Sequence, residues 1–251
     1  PSDHLILQED KFRRTIEQGF AFIQEHDALL TLGMKPTRPD TGYGYIQIDG
    51  GHMTVDEIGT CKVRAFTEKP NLELAKKFVE SGEFLWNSGI FLWNLQTIDA
   101  AFHAYLPEVA AIFAAGADVL GTEAEEAFIQ KAFPNCPSIS IDYGVMEKTD
   151  KAWMYPVKFG WGDIGTWESL YNIIPEKDAN GNAISAEKTL IENTRNVLVV
   201  SPEKKKLIAI KGLEDYMVVD TEDALVICPK DDKKFKDFIS GLGMPEYEKY
   251  R

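Results

Sequence analysis

Asp163 stands alone among glycines and aromatics in Gly160-Trp161-Gly162-Asp163-Ile164-Gly165-Thr166-Trp167. A hard divalent cation such as Mg2+ takes one or two carboxylates and leaves its other positions to water and phosphate oxygens. Asp163 suits that role, with Trp161 and Trp167 as walls, and Asp3 in Pro1-Ser2-Asp3-His4 is a candidate second ligand. The competing use of Asp163 is structural, because an acid just ahead of a helix can serve as its N-cap.

A second set of residues could hold hydroxyls and phosphate. Phe66-Thr67-Glu68-Lys69-Pro70 places an acid beside a base at the end of a predicted strand. A carboxylate accepts bonds from two adjacent sugar hydroxyls, and an ammonium neutralises a phosphate. Pro70 predicts an extended backbone at Lys69, which would send the two side chains in different directions; the plainer use is a solvated ion pair. Asn87, in Trp86-Asn87-Ser88-Gly89-Ile90-Phe91, brings a donor and an acceptor into an aromatic strand. Unpaired polar groups are costly there, so Asn87 either meets a ligand or sits in a bulge with satisfied amides. Asp142, in Ser140-Ile141-Asp142-Tyr143-Gly144-Val145-Met146-Glu147-Lys148, is placed to cap a short helix. Thr41-Gly42-Tyr43-Gly44-Tyr45 contains a G-x-G that leads into a strand rather than a helix, so it fails as a dinucleotide fingerprint. Its glycines still allow close backbone approach to a ring.

Alternating strands and helices must position these groups. Phe12, Ile16, Phe20 and Ile23 have helical spacing. Ala28 to Met34 reads as a buried strand, Tyr43 to Ile48 and Val63 to Phe66 as strands around a Gly50-Gly51 turn, and Asn71 as the cap of a helix closed by Gly82. Phe84 to Trp93 is an aromatic strand broken at Asn87-Ser88-Gly89, followed by a helical stretch interrupted near Pro107 and Gly116. This alternation argues for an α/β domain. After Pro175 the pattern changes to four short β runs separated by turn residues, the spacing of a β-helix or a meander.

With 40 acids against 27 bases, the net charge of −13 argues against gripping a nucleic-acid polymer. Small anionic substrates remain open to a few lysines or a metal ion. The scattered Cys61, Cys136 and Cys228 give neither a disulfide framework nor a zinc site. No apolar run approaches a membrane span and no signal peptide opens the chain, so the expected setting is a reducing cytoplasm without membrane contact. No Ser-His-Asp or Cys-His device is visible.

Taken in order, Pro-Ser-Asp-His, Thr-Gly-Tyr-Gly-Tyr-Ile, Phe-Thr-Glu-Lys-Pro, Trp-Asn-Ser-Gly-Ile-Phe, Ser-Ile-Asp-Tyr-Gly-Val-Met-Glu-Lys and Trp-Gly-Asp-Ile-Gly-Thr-Trp closely resemble the bacterial mannose-1-phosphate guanylyltransferases (GDP-mannose pyrophosphorylases). The resemblance runs from Pro1 to about Leu170, and the β-rich tail is similar to that family's C-terminal segment. It implies a Rossmann-like α/β nucleotidyltransferase domain followed by a short left-handed β-helix. The expected boundaries are 1–176 for the core, 177–190 for a linker and 191–251 for the β-helix with a terminal helix. It further implies that α-D-mannose 1-phosphate and GTP give GDP-mannose and pyrophosphate with Mg2+. In that chemistry a sugar-phosphate oxygen attacks the α-phosphorus in line, which demands positioning and charge neutralisation more than covalent help.

By the same resemblance, Asp3 and Asp163 hold the metal, Glu68, Asn87 and Asp142 bind mannose, Lys69 binds its phosphate, and Gly44 lies against the substrate. The catalytic set would be Asp3, Lys69 and Asp163. The family's glycine-rich G-G-x-G-x-R-L-W-P loop and later P-K segment do not occur in these 251 residues. The expectation is a C-terminal part with little activity alone, a sheet with exposed edges, and a homodimer. The alternatives are another sugar-1-phosphate nucleotidyltransferase, or a non-catalytic sugar-phosphate-binding regulatory paralogue.

Overall fold

The computed structural model describes residues 1–48, 59–230, 235–241, 244 and 246–247, and the expected Gly50-Gly51 turn lies outside them. The chain divides into two compact units, Pro1 with Ile6–Trp161 and Ser2–Leu5 with Gly162–Arg251. The elements run β1 (His4–Ile6), α1 (Glu9–Glu25), β2 (Leu29–Met34), β3 (Tyr45–Ile48), β4 (Cys61–Thr67), α2 (Leu72–Ser81), β5 (Phe84–Leu92) and α3 (Leu95–Tyr105). Next come α4 (Pro107–Ala114), α5 (Glu125–Ala132), a single π turn (Asp142–Met146), β6 (Ala152–Val157), β7 (Trp161–Asp163) and α6 (Trp167–Ile173). The rest is β8 (Ala183–Ser185), β9 (Lys188–Glu192), β10 (Leu198–Val200), β11 (Leu207–Lys211), β12 (Tyr216–Asp220), β13 (Leu225–Pro229) and α7 (Phe235–Ser240). None of the described helices is long and apolar enough to cross a membrane.

In the first unit, every residue of β2 is buried, as its unbroken Leu-Leu-Thr-Leu-Gly-Met run demands of a strand covered on both faces. β2 pairs parallel with β6 and antiparallel with β5. β3 joins β5 to β4, and β4 returns to β6 through Cys61 opposite Met154 and Lys62 opposite Trp153. The five strands therefore close into a barrel of order β2-β5-β3-β4-β6. The closing seam is short, two residue pairs at one end of β4, so it narrows the expected open edge without pairing the rest of that strand with β6.

Helices seal the barrel by local rules. Asn71 and Asn94 cap α2 and α3 by accepting from Leu74 N–H at 2.9 Å and Thr97 N–H at 2.8 Å. Gly82 ends α2 in the left-handed region with φ 70°. α1 presents Phe12, Ile16 and Ile23 to a core of Leu30, Leu32, Met34, Tyr45, Trp86 and Phe159.

In the second unit, β8, β10 and β12 stack in parallel, and so do β9 and β11. Leu198 opposite Met217 and Lys188 opposite Leu207 are both nineteen residues apart, so that coil takes nineteen residues, whereas Ala183 opposite Leu198 makes the step from β8 to β10 fifteen. The corners repeat with the same period: Asn193 and Gly212 have φ 48° and 75°, Asn196 and Asp215 φ 53° and 57°. These types tolerate the left-handed region best. Val197, Val199, Ile208, Ile210 and Val218 fill the coil, and β13 then reverses to run antiparallel to β12. Residues 177–190, expected as a linker, carry β8 and the opening of β9.

Candidate functional site

Five of the sequence-derived residues meet in the first unit. Asn87 sits in β5 where the register with β2 shifts between Thr31 and Gly33, and Gly89 turns to φ 68°. Its backbone N–H donates to the Gly44 carbonyl at 2.8 Å. Its side-chain oxygen accepts from Thr31 Oγ1 at 2.9 Å and Gly89 N–H at 3.2 Å, which fixes the amide orientation. The amide nitrogen then donates to Asp142 Oδ1 at 3.0 Å. Asn87 stands in a bulge with satisfied amides, and its amide nitrogen faces Asp142.

Asp142 is not an N-cap. Ile141 occupies that position without a side-chain bond, and the Asp142 carboxylate turns to Asn87 instead. The cause is the π turn, in which Glu147 N–H reaches back five residues to the Asp142 carbonyl at 3.0 Å. Such widened turns are rare and concentrate at functional sites.

Glu68 is the centre of the group. Its side chain is only 7% exposed, and Oε2 is buried without a hydrogen-bond partner. Burial pushes the Glu68 carboxyl above its ordinary value; the Lys69 hydrogen bond opposes that shift, and the charges of Asp142 and Glu147 add to it. A Cβ on Gly44 would overlap Glu68 Oε2 and stand 3.2 Å from Asn87 Cβ, so position 44 admits only glycine without displacement.

Lys69 departs from expectation. Its φ is 45°, left-handed rather than extended, and its Nζ lies 2.5 Å from Glu68 Oε1. The ammonium thus turns back over the carboxylate instead of pointing away from it. That hydrogen bond raises the Lys69 ammonium above its usual value, against burial.

The second unit brings together the metal candidates. Donor atoms of Asp3, His4 and Asp163 lie within 4.8 Å of one another. Ile164 N–H donates to the Asp3 carbonyl at 3.0 Å, and Gly165 N–H to Asp163 Oδ1 at 2.7 Å. A Cβ on Gly165 would stand 2.9 Å from Asp3 Oδ2 and 3.0 Å from Asp163 Oδ1, filling the space the two carboxylates share. Asp163 does not cap α6; Thr166 does, accepting from Ser169 N–H at 3.0 Å. Trp161 stacks edge-on with Tyr43, and Trp167 packs beside Ala183, Leu198 and Met217. Two carboxylate oxygens that share a space beside Gly165 are hard donors that fit Mg2+. Burial lowers the His4 imidazole's pKa, with the Asp163 charge opposing.

The nucleotidyl transferase family profile matches residues 1–180, and that of the MannoseP isomerase/GMP-like beta-helix domain matches residues 181–238. The chain belongs to the nucleotidyl transferase family. Mannose-1-phosphate guanylyltransferase of Escherichia coli is 33% identical over 258 residues, covering 100% of this chain and 54% of the relative. The xanthan biosynthesis protein XanB of Xanthomonas campestris pv. campestris (strain B100) is 36% identical, covering 92% of this chain and 47% of its own length. The chain thus spans about half the length of the curated relatives it matches. A crystal structure described as mannose-1-phosphate geranyltransferase from Thermus thermophilus superposes with TM-score 0.80 at 26% identity, covering 97% of this chain and 68% of that one.

For a nucleotidyl transferase, sequence reading missed the residues that hold the site rather than form it. Thr31 orients Asn87, and Glu147 accepts the Glu68 N–H at 3.1 Å. Glu147 lay within a motif already singled out; Thr31, inside an apolar strand, gave no signal beyond its hydroxyl.

Proposed function

We propose that this chain carries the sugar-phosphate and metal groups of a Mg2+-dependent mannose-1-phosphate guanylyltransferase. One observation carries the reading: Glu68 Oε2, a buried carboxylate oxygen without a donor, in a group with Asn87 and Asp142. An unmatched buried acceptor is expensive, and a vicinal hydroxyl pair supplies the missing donors. Glu68, Asn87 and Asp142 take the mannose hydroxyls and Lys69 takes the phosphate, leaving its pairing with Glu68 as the phosphate arrives. Gly44 offers the sugar a surface without a side chain. Asp3 and Asp163 hold Mg2+, which when bound would neutralise phosphate charge.

The residues present do positioning work, in keeping with a transfer that needs alignment and charge compensation above all. GTP is the co-substrate in this reading, and the setting is cytoplasmic.

Isothermal titration of the 251-residue chain with α-D-mannose 1-phosphate, mannose and glucose 1-phosphate tests it. Mannose 1-phosphate should bind at least about tenfold tighter than either comparator. In the protein as its gene encodes it, GTP and mannose 1-phosphate should release pyrophosphate. Equal affinity for the two sugar phosphates would point to a broader nucleotidyltransferase, and binding without pyrophosphate release to a regulatory protein.

A further inference from the structure

Glu68 and Lys69 lie just past the end of β4, whose last paired residue is Thr67 opposite Tyr45. Their backbone therefore lacks the ladder that fixes a strand residue. It is also unfavourable, because Lys69 adopts φ 45° immediately before Pro70. Such conformations persist only when the surroundings over-determine them.

The surroundings here are the π turn. Glu147 Oε1 accepts the Glu68 N–H at 3.1 Å, and Tyr143 Oη lies 3.5 Å from the Glu68 carbonyl oxygen, a long donor. The same turn supplies Asp142 to Asn87. Its five-residue hydrogen bond, Glu147 N–H to Asp142 carbonyl, brings residue 147 closer to the face of residue 142 than a regular turn does. A regular helix bonds four residues apart and would rotate residue 147 away. One widened turn thus serves both halves of the sugar-phosphate group.

We infer that Glu147 is a positioning residue of this site, holding the Glu68–Lys69 peptide in its binding geometry through the Glu68 N–H. The inference rests on the reading that Glu68 and Lys69 bind the sugar phosphate. A carboxylate is a strong acceptor for a backbone N–H. It is otherwise a poor choice of neighbour for Glu68, whose charge it opposes. An acid at that position fits a requirement for a firm backbone anchor.

Two variants of the 251-residue chain separate the anchor from a surface acid. Glu147→Gln keeps an acceptor oxygen; Glu147→Ala removes it. Amide hydrogen exchange at Glu68 reads the anchor, and isothermal titration with α-D-mannose 1-phosphate reads its consequence. The alanine variant should exchange the Glu68 amide about tenfold faster and bind about tenfold more weakly, while the glutamine variant stays within about threefold of wild type on both. The glutamine variant should also carry the acid limb of binding to lower pH, since a like charge beside Glu68 is gone. Unchanged exchange in the alanine variant, or faster exchange with unchanged affinity, overturns the inference. A wild-type chain that does not bind mannose 1-phosphate removes the functional reading and this inference with it, whereas wild-type binding with unchanged exchange removes the inference alone.

Discussion

Gly44 and Glu68 are in contact through the space a side chain at position 44 would need. The Cβ of any other residue there would overlap Glu68 Oε2 and press on Asn87 Cβ at 3.2 Å. Overpacking of this kind costs about 1–3 kcal/mol, and Glu68 would yield by turning away. Gly44→Ala should therefore weaken α-D-mannose 1-phosphate binding at least about tenfold by titration calorimetry while the fold persists by circular dichroism. Unaltered affinity would take Gly44 out of the site.

Glu68 itself is held at a cost to the ligand-free protein. Its folded carboxyl titrates above its unfolded value, chiefly through burial. The associated stability is thus fully present below the unfolded carboxyl value and is lost as pH rises through the folded one. Glu68→Gln removes the charge that causes the loss. Near pH 7.5 the variant should melt about 2–4 °C higher than wild type, the scale of 1 kcal/mol in a domain of this size. Near pH 4 the gain should shrink, and sugar-phosphate binding should fall at every pH. A variant less stable than wild type at pH 7.5 would contradict this account.

Asn87 donates to Asp142 at 3.0 Å, so Asn87→Asp would set a carboxylate oxygen against a carboxylate oxygen. Two acids at that distance do not ionise independently, and the introduced carboxyl should titrate above the ordinary range. The variant's melting temperature should fall at pH 8 and recover toward wild type at pH 5, in contrast to Asn87→Ala, which should show no such recovery. Parallel pH profiles for the two variants would show that the Asn87–Asp142 bond does not govern the local electrostatics.

Asp3 and Asp163 make a separate prediction with Mn2+ as probe. Paramagnetic broadening should centre on Asp3, His4 and Gly165, and Asp163→Asn should weaken Mn2+ at least about tenfold. Gly165→Ala should weaken it too, although glycine carries no ligand, since the added methyl would stand 2.9 Å and 3.0 Å from the two carboxylates. In the protein as encoded, Asp163→Asn should reduce turnover far more than mannose 1-phosphate binding. Mn2+ affinity unchanged in both variants would remove the pair as a metal site.

What could be read in advance followed from local chemistry. Asn71 with Gly82 marks both ends of α2, and the apolar spacing of Phe12, Ile16 and Ile23 marks α1, because caps and periodicity are written in neighbouring residues. The short β runs allowed either a β-helix or a meander; the choice depended on parallel pairing nineteen residues apart, a non-local property. The errors at the site have the same origin. Pro70 alone predicts an extended Lys69, but Glu147, in contact with Glu68 only through the fold, helps hold a different backbone. Asp142 reads as a cap by sequence, and the π turn that redirects it to Asn87 leaves no mark in residue type.

The β-helix stops by changing direction. Thr221 N–H donates to the Ala224 carbonyl at 2.8 Å, Thr221 Oγ1 bonds to Asp223, and β13 turns back along β12. A solenoid lengthens only while each strand enters the next winding in the same sense. A hairpin at Thr221–Ala224 therefore ends the run of parallel windings at β12 among the described residues, whatever the apolar filling of the coil would allow.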